Sequence, residues 1–259
     1  MLRSLKALQG YTVVAKDGDI GKVYDFYFHD DTWVIRYLVA DTGHWLPGRK
    51  VLLTTSALGR PNWAGFTFPV TLTREQVQKS PEIDTDKPVS RQQEAELHNH
   101  FGWPVYWMDP GDEAWPAPPP MTPVSPATKP SEPLSEQHAD PHLRSVREVT
   151  AYHIQASDGE MGHVEDFIVE DTLWIIRYMV VQAGKWFPAK KVLIAPEWLQ
   201  KIRHSERKVD VSVTRESILN CPEFNPRAAV NREYEARLYD YYGQPAYWEE
   251  TNPAGVLKK

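Results

Sequence analysis

Chemistry in this chain would have to come from nine histidines, a few closely spaced carboxylates or one cysteine. The tightest histidine pair is His98-Asn99-His100. On a helix, rings two positions apart point about 200° away from each other and cannot hold one ion. His29, His44, His163 and His204 are scattered without the spacing of a zinc motif, so surface or packing roles are expected and no metal ligand. Asp17-Gly18-Asp19 and Asp158-Gly159-Glu160 begin like a calcium loop, but the later ligand positions are missing and turn chemistry accounts for them. The single Cys221 excludes an internal disulfide, a cysteine zinc cluster and an iron–sulfur site. A Gly-rich phosphate cradle, a nucleophile elbow and a metalloprotease helix are all missing from the sequence. The expectation is a protein that is not an enzyme, with no catalytic, cofactor-binding or metal residue.

Two constellations remain. Asp25 and Arg36 recur as Asp166 and Arg177. With a two-residue turn at Asp30-Asp31, Asp25 faces Arg36 across a hairpin, and such opposite charges fix strand register. They are therefore expected to be structural ion pairs. Tyr106-Trp107 and Tyr247-Trp248 form a candidate interaction surface, since Trp and Tyr dominate interface hot spots. The alternative is that they plug the fold, because a small domain needs large apolar side chains.

The elements that must position these residues come in duplicate. Asp17-Gly18, Trp33, Arg36-Tyr37, Trp45, Thr73-Arg74-Glu75, Pro81-Glu82 and Tyr106-Trp107 all recur at one constant offset, as Asp158-Gly159 through to Tyr247-Trp248. No gap is needed over the repeat, and roughly a third of its positions are identical. The sequence thus divides into repeat one (1–107), a linker (108–143), repeat two (144–250) and a tail (251–259). The linker holds ten of the 22 prolines and few apolar residues, which suits an extended spacer. It also carries nearly all of the net charge of −6, leaving both repeats close to neutral. That balance argues against nucleic acid as a partner.

Each repeat reads as short strands at hairpin spacing followed by helices. Thr73 and Thr214 are N-cap candidates for a short helix, and Ser90 with Gln93 forms a capping box for a second that stops at Gly102. Asn231 and Gly243 bound its counterpart. The fold class is mainly β with α appendages: two small barrels, closed or half-closed, each followed by short helices. No apolar run is long enough for a signal peptide or a membrane span, so a cytoplasmic location is expected.

The segments DGDIGKVYDFYFHDDTWVIRYLVADTGHWLPGRKVLL and DGEMGHVEDFIVEDTLWIIRYMVVQAGKWFPAKKVLI resemble the PRC-barrel family. That barrel is known from the cytoplasmic part of the photosynthetic reaction-centre H subunit and from a ribosome maturation factor. The resemblance implies a fold and action through protein–protein contacts, with no catalytic residue to carry over. It implies a tandem protein-binding or scaffold module whose two barrels form a pseudo-dimer or pair with a second chain. Alternatives are a soluble accessory of a membrane electron-transfer complex, peripherally attached, and a small-ligand protein or enzyme using the cleft between barrels.

Overall fold

The computed structural model describes residues 1–83, 89–107, 142–184 and 190–248. Nearly all of the linker and the whole C-terminal tail lie outside these residues. The first repeat runs β1 (Leu2–Ser4), α1 (Leu5–Leu8), β2 (Thr12–Ala15), β3 (Gly18–His29), β4 (Ile35–Asp41), β5 (Lys50–Thr54), β6 (Thr67–Pro69), α2 (Arg74–Gln78) and α3 (Arg91–Phe101). The second runs β7 (Leu143–Ser145), α4 (Val146–Val149), β8 (His153–Ala156), β9 (Gly159–Glu170), β10 (Ile175–Ala183), β11 (Lys190–Ile194), β12 (Leu199–Arg203), β13 (Lys208–Val211), α5 (Arg215–Asn220) and α6 (Arg232–Tyr242).

The capping chemistry sits where the sequence places it. Thr73 and Ser90 both complete capping boxes, with Gln76 and Gln93 reaching back. Thr214 and Asn231 cap the counterparts. Gly102 and Gly243 take the left-handed conformation, at φ 68° and 61°, that lets α3 and α6 end. Each long strand comes so close to its neighbour at one point that only glycine fits. A Cβ on Gly21 would lie 2.0 Å from the Asp41 carbonyl oxygen, and one on Gly162 would lie 1.9 Å from that of Gln182.

The sheets are ordered β5-β4-β3-β2-β6 and β11-β10-β9-β8-β13-β12. Both are mainly antiparallel with one parallel pairing, β2 with β6 and β8 with β13. Among the described residues neither strand path closes on itself, so the expected barrels are there open sheets with helical appendages.

Each sheet is completed by the other repeat. Strand β1 pairs with β9, matching Arg3 to Val169, and β7 pairs with β3, matching Arg144 to Phe28. The first strands of the two repeats are thus exchanged. The boundaries 1–107 and 144–250 delimit sequence repeats and not the contents of a sheet. Between the arms, Val34 and Ile175 (equivalent positions) form an isolated antiparallel bridge. Ile35 N donates to Trp174 O at 2.7 Å, and Ile176 N to Trp33 O at 2.8 Å. This is the self-complementary contact of a two-fold dimer, made within one chain.

The core follows the exchange. Leu5 and Leu8 of α1, and Val146 and Val149 of α4, are buried in one apolar cluster that runs through both repeats. Trp174 stacks on Phe26 and Phe68 of the first repeat, and Phe28 meets Phe167. A second cluster lies on the outer face of the first sheet, where Leu97 of α3 covers Tyr37, Val39 and Leu52.

Candidate functional site

The Asp25–Arg36 pairing is not formed. The turn spends four residues, Asp30 to Trp33, with Trp33 N donating to His29 O and His29 N to Val34 O. Arg36 is then skipped in a β-bulge between the pairs Phe28–Ile35 and Tyr27–Tyr37, which leaves Asp25 opposite Val39. A bulge re-aims its extra side chain. Here it sends the Arg36 guanidinium over the Tyr106 ring, 4.1 Å from the centroid. Arg177, bulged in the same way, lies 4.2 Å from the Tyr247 centroid and bonds Glu170 at 2.7 Å.

The aspartates hold the exchanged arms instead. Asp25 accepts from Ser145 Oγ at 2.5 Å, from the Arg147 N–H at 3.1 Å and from the Phe26 N–H at 2.8 Å. Asp166 accepts from Ser4 Oγ at 2.5 Å, from the Lys6 N–H at 2.9 Å and from the Phe167 N–H at 2.7 Å. Each serine also caps the helix that follows it. One buried carboxylate therefore fixes both the end of an incoming strand and the start of an incoming helix. Burial pushes the Asp25 carboxyl up to about 6, against the opposing pull of those donors. Asp166 is raised for the same reason.

The four aromatic residues of the candidate surface are partly buried. Tyr106 OH donates to Glu94 at 2.6 Å and Tyr247 OH to Glu235 at 2.9 Å. The same glutamates accept from Tyr37 OH and Tyr178 OH, both at 2.8 Å, and face Arg91 and Arg232. Arg91 and Arg232 in turn cover the Trp107 and Trp248 rings at 4.6 and 4.0 Å. Each tail is thereby clamped over its helix and sheet. Burial, with the nearby glutamate adding to it, holds Tyr37 well above the ordinary tyrosine range. Burial likewise pushes Tyr247 up to about 12. These are protonated donors around a satisfied carboxylate, which suits a clamp better than a general base or a phenolate nucleophile.

Glu94 and Glu235 are the residues that the sequence reading missed. They are 0% and 2% exposed on helices that otherwise read as polar. The available signal was Arg-x-x-Glu, kept in both repeats while the residues between change, together with Tyr37 and Tyr178 at the same offset. His98 is buried and His100 exposed, so the two rings do diverge. His98 Nε2 lies 2.7 Å from Tyr37 OH and its Nδ1 2.8 Å from Pro104 O, and burial lowers its proton affinity. Cys221 is buried, and burial raises its thiol above the ordinary cysteine range.

Residues 2–59, from the exchanged strand β1 to five residues past β5, match the family model of the PRC-barrel domain. The chain carries a PRC-barrel domain. No curated protein matches the chain closely. Within the PRC-barrel segment lie Asp25, Arg36 and Tyr37, while their partners Ser145, Tyr106 and Glu94 lie outside it. The domain's latch and clamp are thus completed by later parts of the chain. A groove of about 260 Å³ where the two arms meet is lined by Lys6, Gln9, Arg147, Thr150, Glu165 and Asp166. Its carboxylates are already engaged, Glu165 by Lys191 at 2.7 Å and Asp166 by Ser4. Among the described residues, no helix is long and apolar enough to cross a membrane.

Proposed function

We propose that this chain is a non-enzymatic binding or scaffold protein in which the second repeat is a second PRC-barrel domain. Its two domains act as a covalent pseudo-dimer that presents one kind of surface twice to a protein partner. The observation that carries this reading is the reciprocal arm exchange. Two modules that share strands, latches and one apolar cluster cannot drift apart, so the spacing of any duplicated surface is fixed. A rigid bivalent surface gains avidity from the second contact without needing new chemistry.

An exposed patch shared by both repeats is the natural docking element. Asp17 accepts from the Arg74 N–H at 2.7 Å and Asp158 from the Arg215 N–H at 2.8 Å, with Glu75 and Glu216 beside them. The test is affinity capture from native extract with four full-length baits: wild type, Glu75→Lys, Glu216→Lys and the double variant. Graded loss of the same captured protein, far steeper in the double variant, is the expected result. Capture unaffected by any of the three would remove this patch, and turnover of a small molecule by the purified chain would remove the non-enzymatic reading.

A further inference from the structure

The turn between β3 and β4 lies far in sequence from two histidines that fold onto it. His29, Asp30 and Asp31 each offer a ligand atom, and these atoms lie within 4.8 Å of one another. His142 enters from the foot of the exchanged arm, its Nδ1 3.0 Å from Asp30 Oδ1 and 3.1 Å from Asp31 Oδ2. The His29 and His142 rings stack with centroids 5.2 Å apart. On the far side, His204 Nε2 lies 3.2 Å and Arg144 Nε 2.9 Å from Asp30 Oδ2. The scatter of these histidines along the sequence is therefore undone by the fold.

We propose that His29, Asp30, Asp31 and His142 form a site for a divalent transition-metal ion of the zinc class. Mixed imidazole and carboxylate donors suit zinc, cobalt or nickel better than calcium or magnesium, which take oxygen. Donor atoms bound at about 2.1 Å to one ion stand roughly 3.0–3.4 Å apart, and the His142-to-carboxylate separations already fall in that range. Arg144 and His204 hold the second oxygen of Asp30, the outer contact that orients a ligating carboxylate.

The site also has a built-in contrast. At the equivalent corner of the second repeat, Glu170, Asp171 and Thr172 replace the triplet, and Asp171 takes the Met1 ammonium at 2.6 Å. Met1 stands there at the position that His142 holds in the first corner, so that corner lacks both imidazoles. Because His142 leads directly into strand β7 and the other three ligands lie in the first repeat, the ion would pin arm β7 to β3.

The experiment is calorimetric titration of the chelator-stripped full-length chain with zinc chloride, with cobalt(II) absorption as a second reading. One zinc per chain is expected, together with a visible cobalt band and a higher unfolding midpoint with zinc. His142→Ala and the exposed Asp31→Asn should each weaken zinc at least tenfold and abolish the midpoint rise. His44→Ala, at an exposed histidine outside the cluster, should change nothing. No zinc binding by the wild type, or binding left intact by both His142→Ala and Asp31→Asn, would overturn the site. Asp31→Asn, on an exposed side chain, keeps the test decisive should His142→Ala unfold the arm.

Discussion

The two turns that join β3 to β4 and β9 to β10 occupy the same place in the two halves and are built from different chemistry. Around Asp30 gather His29, His142, His204 and Arg144; around Asp171 gather the Met1 ammonium and Arg3. The aspartate latches and the bonds from paired tyrosines to Glu94 and Glu235 repeat in both halves. The difference separates what the duplicated fold requires from what one half has been free to change. Latch and clamp appear twice because each sheet needs them; the histidine corner appears once.

The sharpest way to break the likeness is at the two glycines of close approach. Gly21→Ala and Gly162→Ala each force a methyl into a backbone carbonyl, and each should cost about 4 kcal/mol or more, enough to prevent folding. Soluble yield and urea unfolding of the two variants would check this. If one is tolerated and the other is not, the two halves differ in how far the neighbouring strand can give way.

The clamps come next, and here the halves should diverge. Glu94→Ala and Glu235→Ala both strip a buried acceptor from two tyrosines, at about 2–4 kcal/mol. In the first half, His98 Nε2 still stands 2.7 Å from Tyr37 OH as a second acceptor, while Tyr239 occupies that position in the second half. Glu235→Ala is therefore expected to be the more costly of the two by chemical denaturation.

The latches give a smaller effect with a definite pH dependence. Folding raises the Asp25 carboxyl from an ordinary 3.8 to about 6, so the folded chain binds that proton more tightly than the unfolded one. The group's contribution is fully present below pH 3.8 and is lost as pH rises through about 6. The difference in unfolding free energy between wild type and Asp25→Asn should shift by about 2 kcal/mol across that window, in favour of the wild type at the acid end. A flat difference would mean that folding leaves the proton affinity of the Asp25 carboxyl unchanged.

Least of all should follow from Lys79→Ala. Its 2.6 Å contact with Glu75 is exposed and has no counterpart at Asn220, so the urea midpoint should not move measurably.

Much of this is legible in the sequence itself. The helix caps at Thr73, Ser90 and Asn231 and the stops at Gly102 and Gly243 depend on neighbours within four residues, which a sequence displays directly. The partner of a strand does not. Leu2–Ser4 and Leu143–Ser145 are short and carry no mark of which edge they complete, so the exchange could not be read. The bulge at Arg36 was invisible for a related reason. One extra residue in the strand, added to a turn of four residues in place of two, moves Asp25 from Arg36 to Val39. Glu94 was hidden by its own type, since a carboxylate on a helix reads as solvated until a tyrosine from another strand is seen to reach it. The histidine corner combines both difficulties, with ligands drawn from a turn and from the foot of an exchanged arm.

The exchanged arms also bear on the order in which the molecule can be made. A chain leaving the ribosome exposes β3 long before residues 143–145 exist to cover its edge, and β1 must wait longer still for β9. Neither half can finish its sheet alone, so the newborn first half carries an open strand edge and an unfilled apolar seam through most of translation. Such an edge invites pairing with a neighbouring nascent chain. Contacts between residues more than 160 positions apart, such as Arg3 with Asp171, are by nature late and slow to form. Slowing synthesis between the two halves should therefore raise the yield of aggregated or cross-paired chains.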